Sequence, residues 1–243
     1  MEAVPAIAFD HVRLGAPDPV AAARDWSVLL GAVAVDRPSG GYRFQLDRGA
    51  LEIVDGPPGL LSLGFCVAGA PPAAIHPHGL ALEWVAVVGS PAAVDPGPTS
   101  GAGVGGPRDV ETAGDRAHAI DHVVVRTTDP ERAVALWRDR LGLRLALDRA
   151  FPARGLRMLF FRSAGVTLEF VAAIGEPDPA GRDALDGIAW QVRDLDACRV
   201  RLVAAGLDVS PVRDGFKAGT RVATARSGTG GVPTLLIEPA PYA

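Results

Sequence analysis

The amino-acid sequence predicts an α+β fold made of repeated strand–helix–three-strand (βαβββ) modules. Two observations carry that prediction: an internal duplication, and a helix-start signal that recurs inside each copy. A third agrees with them: 29 Gly and 21 Pro in 243 residues favour many short elements over long helices. Residues 10–31 (DHVRLGAPDPVAAARDWSVLLG) and 121–142 (DHVVVRTTDPERAVALWRDRLG) align without a gap at a shift of 111. Nine of 22 positions are identical, among them Asp10/Asp121, His11/His122, Asp18/Asp129, Trp26/Trp137 and Gly31/Gly142. That far exceeds chance and marks a duplicated unit.

Each copy opens with a β-branched, apolar strand, over 7–14 in the first and 120–126 in the second. Asp-Pro follows; the carboxylate suits an N-cap and Pro at the first helical position forfeits no hydrogen bond. The stretches 20–30 and 131–141 carry apolar residues at helical spacing (Ala133, Leu136, Trp137, Leu141), and Gly31 or Gly142 stops the helix. Three short strands are expected next, near 33–36, 42–46 and 50–54 in the first copy, and near 143–147, 157–162 and 166–172 in the second. A further unit begins at 188–192 (IAWQV), with a helix opened by Asp194 and stopped by Gly206. Its strands are expected near 209–212, 221–225 and 234–238. In the N-terminal part, 62–67 and 80–88 read as strands of a degenerate unit, because the Pro-rich 68–79 between them is too short for a helix and two strands. Residues 80–88 either close the first domain or begin an aborted unit. The Gly/Pro-rich run over 95–114 reads as a linker. The division is therefore 1–94, a partly degenerate N-terminal domain; 95–117, the linker; and 118–243, a complete domain of two modules.

Composition narrows the function classes. Apolar residues are 48% and charged residues 21%, enough for a sizeable core. A net charge of −4 argues against a non-specific nucleic-acid binder. No apolar run reaches membrane-spanning length, and the N-terminus does not read as a signal peptide. Two cysteines, Cys66 and Cys198, are too few for a disulfide framework. A cytoplasmic protein with inert thiols is expected. The run GAGVGG at 101–106 lacks the Lys-Ser/Thr ending of a phosphate loop.

A tandem βαβββ unit with "DHV…DP…W…LG" resembles the vicinal oxygen chelate superfamily, which includes glyoxalase I, extradiol dioxygenases, epimerases, and fosfomycin and bleomycin resistance proteins. The resemblance covers most of 119–240 and, more weakly, 7–94. It implies paired modules curled into half-open mixed sheets around a cavity, with helices outside. It also implies ligands at two kinds of position: a His on a module's first strand and a Glu near the end of its last. Carried onto this chain, these are His122 and Glu169 in one module and Glu238 in the next, with the fourth position on Gly187. One imidazole and two carboxylates suit a divalent ion such as Mn, Fe, Ni, Co or Zn. Glu169 and Glu238 are then the catalytic candidates, one of them exchanging off the metal to move a proton. Glu169 sits in an apolar run, so a buried carboxylate there needs a partner, a metal or a raised pKa.

Strand alternation puts Arg126 on the face of His122, and Gln191 on the face of Gly187. Both, with the aromatic Trp190, are candidates for holding substrate. The N-terminal copy offers a weaker set, His11, Glu52 and Glu83, with Ser62 at the fourth position and His76 and His78 in a nearby loop. Loops 149–156 and 214–220 carry Phe151, Arg154, Phe216 and Lys217 and would set specificity for a mixed apolar and acidic ligand. The resemblance thus implies a metal-dependent lyase or isomerase of the glyoxalase or epimerase kind, acting on a small oxygenated substrate. The alternatives are a metal-free binding protein that sequesters a small molecule, and an extradiol-type dioxygenase, against which the missing second His argues. The expected partner is a small-molecule ligand, with neither nucleic acid nor membrane; relatives pair, which makes a homodimer an option.

Overall fold

A computed structural model describes residues 7–69, 77–86 and 114–240. The expected linker falls mostly outside them, as do His76 and the Gly-rich run at 101–106. The N-terminal copy runs β1 (Ile7–Ala16), α1 (Pro19–Leu30), β2 (Val35–Asp36), β3 (Tyr42–Gln45) and β4 (Ala50–Asp55), followed by β5 (Gly59–Val67) and β6 (Ala81–Ala86). The next module is β7 (Ala117–Arg126), α2 (Pro130–Val134), β8 (Arg144–Phe151), β9 (Leu156–Ser163) and β10 (Val166–Ala173). The last is β11 (Ala184–Val192), α3 (Leu195–Ala204), β12 (Arg213–Asp214), β13 (Arg221–Ala225) and β14 (Thr234–Glu238).

The helix punctuation works as the sequence implies. Asp18 Oδ1 accepts from the amide of Ala21, Asp129 Oδ1 from that of Arg132 and Asp194 Oδ1 from that of Ala197. Gly31 ends α1 at φ 66°, a left-handed conformation that Gly adopts without strain. One helix departs from expectation: α2 widens into π turns over Ala135–Arg140, and the wider turn buries Leu136 and Trp137 side by side.

In every module the first and last strands pair in parallel: β1 with β4, β7 with β10 and β11 with β14. The same pairing decides the ambiguous segment, because β6 lies parallel to β5. It is placed as the closing strand of a module, and the 13 residues between β5 and β6 (68–80) are too few for a helix and two further strands. The result is two mixed sheets, six strands in the order β2-β3-β4-β1-β5-β6 and eight in the order β12-β13-β14-β11-β7-β10-β9-β8. The edges of the larger sheet curl toward each other. Phe151, at the end of β8, meets Phe216, in the loop after β12, edge to face at 5.5 Å, and Arg154 lies over the Phe216 ring at 4.8 Å. The two loops expected to set specificity therefore touch.

One hydrophobic cluster runs through both sheets. Trp26 of α1 packs on Trp190 of β11 at 5.6 Å between ring centroids, and Trp137 packs on Phe65 of β5 at 5.8 Å. Trp190 is thus a core residue, fully buried against Trp26, which corrects its assignment to substrate. The turn before β4 also joins the halves. The amide of Ile120 donates to the carbonyl of Arg48, and that of Asp47 to the carbonyl of His118. Arg201 of α3 donates to the carbonyls of Val28 and Leu29 at the end of α1.

Candidate functional site

His122 points from β7 into a cavity of about 210 Å³ whose other walls are Val124, Asp186, Gly187, Ile188, Thr224, Pro233, Thr234 and Leu235. Its Nε2 faces Glu169 Oε2 at 3.9 Å, and its Nδ1 meets Asp121 Oδ2 at 2.7 Å. Successive strand residues ordinarily point to opposite faces, so Asp121 should turn away from its neighbour's ring. A β-bulge prevents this. His122 pairs with Ala189 and Ile120 with Trp190, which leaves Asp121 as the extra residue, re-aimed beside the imidazole. The N-terminal copy repeats the device: Phe9 and His11 pair with Phe65 and Gly64, and the extra Asp10 holds His11 Nδ1 at 2.7 Å.

Behind Asp121 stands Gln191, whose amide nitrogen donates to Asp121 Oδ1 while its oxygen accepts from Arg48 of the N-terminal half. Arg48, Gln191 and Asp121 thus fix the ring of His122 without themselves lining the cavity. Gln191 is therefore placed to orient His122. Arg126 sits at the strand end, 67% exposed, and pairs with Asp186 on the cavity wall at 3.0 Å.

Three charges meet in this site. Burial raises the Glu169 carboxyl above its ordinary value; the charge of His122 opposes that and Asp121 adds to it. Burial depresses the His122 imidazole, but its hydrogen bond to Asp121 and the charges of Glu169 and Asp121 outweigh it, so the net shift is upward. Both groups of the pair are thus displaced upward from their ordinary values.

Glu238 is not at this site. Its Oε2 accepts from the amide of Leu195 at the start of α3, and its Oε1 lies 3.6 Å from Arg221. Register explains the correction. Glu169 lies opposite Val124, two residues beyond His122, while the equivalent residue Ala189, two beyond Gly187, lies opposite Leu235. Leu235 therefore holds the position expected of Glu238, and a slip of three residues moves a strand side chain to the other face.

The four ligand positions of the C-terminal half are thus His122, Glu169, Gly187 and Leu235. Two donors with a glycine and a leucine do not make the three- or four-donor set that holds a resident divalent ion. Among the described residues no group of three or more His, Cys, Asp and Glu side chains is arranged to hold a metal. The expected ion held by His122, Glu169 and Glu238 does not fit this arrangement.

The N-terminal half keeps all four positions polar. Its register places His11 opposite Gly64, Glu52 opposite Arg13, and Glu83 opposite Gly64, with Ser62 in the place of Gly187. His11 Nε2 lies 3.4 Å from Glu52 and 3.9 Å from Glu83, and Ser62 Oγ donates to Glu83. Three guanidiniums crowd the same carboxylates: Arg13 contacts both Glu52 and Glu83, Arg37 contacts Glu52, and Arg43 contacts Glu52 and Asp10. Burial pushes the Glu52 carboxyl up, yet Arg13, His11, Arg43 and Arg37 together hold it below its ordinary value. An adjoining cleft of about 560 Å³ is lined by Arg37, Arg43, Glu52 and their neighbours on β2 and β3. His78 stands in a left-handed turn at φ 52°, where its carbonyl accepts from the amide of Asp183. Both thiols are raised by burial. The arginines and the paired aspartates were missed in the sequence; the Asp-His dipeptide recurring at 10–11 and 121–122 was the available signal for the latter.

Residues 121–224 match the Glyoxalase/Bleomycin resistance protein/Dioxygenase superfamily. An ethylmalonyl-CoA/methylmalonyl-CoA epimerase of Cereibacter sphaeroides is 28% identical over 99 residues, spanning 37% of this chain and 72% of that protein. Among solved structures, methylmalonyl-CoA epimerase from Mycobacterium tuberculosis is 25% identical, with 51% of this chain and 90% of that one covered and a TM-score of 0.43. Methylmalonyl-CoA epimerase from Streptomyces coelicolor is 22% identical, with 49% and 94% covered and a TM-score of 0.38.

Proposed function

Because residues 121–224 match the glyoxalase/bleomycin resistance protein/dioxygenase superfamily, we propose that the chain catalyses an isomerase-type proton transfer on a small oxygenated substrate, at His122 and Glu169. The observation that carries this reading is the line Asp121–His122–Glu169, with 2.7 and 3.9 Å between successive groups, in which His122 lines a cavity with mostly apolar walls. Glu169 removes a proton from the carbon next to a carbonyl. The electron pair moves onto the carbonyl oxygen, which the protonated Nε2 of His122 stabilises by a hydrogen bond; return of the proton from Glu169 gives exchange with retention, and delivery of a solvent proton to the opposite face inverts the carbon while Glu169 gives its proton to solvent. Asp121 holds the ring by Nδ1, so the charged imidazole presents Nε2–H to the substrate. The step runs on the chain's own groups and no ion is assigned a part in it.

The test is solvent deuterium incorporation at the α-carbon of a carbon-acid panel that includes methylmalonyl-CoA, the compound named for the relatives. Exchange by the wild type should fall roughly 10²–10⁴-fold in Glu169→Gln and in His122→Asn, the usual contribution of a positioned acid or base. No exchange of any panel member, or exchange that both variants retain, would overturn the reading. The apolar walls Val124, Ile188, Pro233 and Leu235 favour a second reading, sequestration of a small apolar compound without chemistry. Tight binding with no exchange selects it.

A further inference from the structure

The N-terminal half carries the donors of a metal site and, among them, a cation of its own. His11 is 3% exposed, and its Nε2 has no hydrogen-bond partner although it faces two carboxylates at 3.4 and 3.9 Å. Asp10 backs the ring through Nδ1, as carboxylates do behind metal-bound imidazoles. One imidazole, two carboxylates and the hydroxyl of Ser62 form a donor set suited to a borderline or hard divalent ion. Yet the fork of Arg13 bridges the same oxygens: Nη2 to Glu52 Oε2 at 2.8 Å, and Nη1 to Glu83 Oε2 at 2.5 Å. The charges already balance, since Asp10, Glu52 and Glu83 face Arg13, Arg37 and Arg43. A divalent ion would add two positive charges to a neutral cluster. At the position equivalent to Arg13 the C-terminal half holds Val124.

We infer that the guanidinium of Arg13 occupies the cation position of the N-terminal half, and that His11, Glu52 and Glu83 become a divalent-metal site only when Arg13 is removed. A guanidinium donates hydrogen bonds but accepts no lone pair. This cluster is therefore a latch, fastening β1 to β4 and to the truncated closing strand β6, and not a Lewis-acid centre.

The experiment uses the full chain with His122→Ala in every sample, so that the C-terminal imidazole contributes nothing. Chains with Arg13, with Arg13→Val (the residue of the other half) and with Arg13→Val plus His11→Ala are dialysed against Co²⁺ or Ni²⁺. Bound metal, the visible spectrum of Co²⁺ and the melting temperature are then measured. The expected result is roughly one Co²⁺ per Arg13→Val chain, with a metal-dependent rise in melting temperature, and neither effect in the other two. Uptake of an equivalent by the chain that keeps Arg13, lost on His11→Ala, would overturn the inference, as would a folded Arg13→Val chain that takes up no metal. If Arg13→Val folds only when Co²⁺ is supplied, that too is the expected result. If it folds in neither condition, Arg13→Gln is measured on the same criteria, and the Arg13 chain stands as its own arm. No outcome bears on proton transfer at His122.

Discussion

Glu52 and Glu169 hold the same register in two copies of one module, yet their carboxyls are displaced in opposite directions. Both are pushed up by burial. What differs is the company. Opposite Glu52 stand Arg13 and Arg43; the same register opposite Glu169 holds Val124 and Phe160. A buried carboxylate with guanidiniums around it is favoured in its charged form. The same carboxylate with an apolar wall and one imidazole is raised by burial, the displacement a candidate proton acceptor needs. One duplication has thus yielded a neutral ion cluster and a candidate acid–base pair, and a few side chains on the neighbouring strands make the difference.

The comparison breaks most visibly under truncation of the carboxylates. Glu52→Ala leaves three guanidiniums facing an unfilled space and should cost roughly 3–5 kcal/mol of stability, the usual result of removing one partner from a buried ionic network. Glu169→Ala removes a group that burial already penalises and should cost far less. Urea unfolding of both variants checks this, and equal losses would contradict the contrast.

Acid and base should separate the halves next. Asp10 titrates near 2 in place of 3.8, first through its hydrogen bond to His11, so the stability it contributes, about 2 kcal/mol, is present above 3.8 and lost as pH falls toward 2. Glu52, also lowered, acts in the same sense. His122 and Glu169 are raised, so their contribution is present at low pH and lost as pH rises through each folded value, above 6.5 for the imidazole. In melting curves across pH, Asp10→Asn should flatten the acid limb and His122→Asn the alkaline limb.

The smallest effect sharpens the comparison. Val124→Arg places opposite Glu169 the residue that neutralises Glu52. It should draw the Glu169 carboxyl down and move the acidic limb of the exchange rate by on the order of one pH unit, with the fold intact. An unmoved limb would mean that Glu169 is not the group titrating in the reaction.

Features that depend on near neighbours in the chain were legible in the sequence. The Asp-Pro caps, the glycine stops and the duplicated strand–helix unit are of this kind, and so are His11, His122, Glu52 and Glu169, carried by the repeat and by a family resemblance. What failed failed for geometric reasons. Glu238 was matched by its place near a strand end, and only the pairing of β11 with β14 shows that Leu235 holds the register and that Glu238 faces the helix. Gln191 was expected in the cavity because alternation was taken as unbroken through strands that contain bulges, and Trp190 against substrate because it is aromatic, where packing on Trp26 claims it for the core.

By itself the sequence determined the module, its repetition and the residues at two of the four positions in the C-terminal half, since propensity, capping and periodicity act within a turn or a strand. Tertiary structure alone decided which carboxylate meets a guanidinium and which meets an imidazole, and that Arg48 of one half steadies His122 of the other through Gln191. The physical reason is that the charge state of a buried group depends on what lies within a few ångströms of it, and here those neighbours come from strands far apart in the chain.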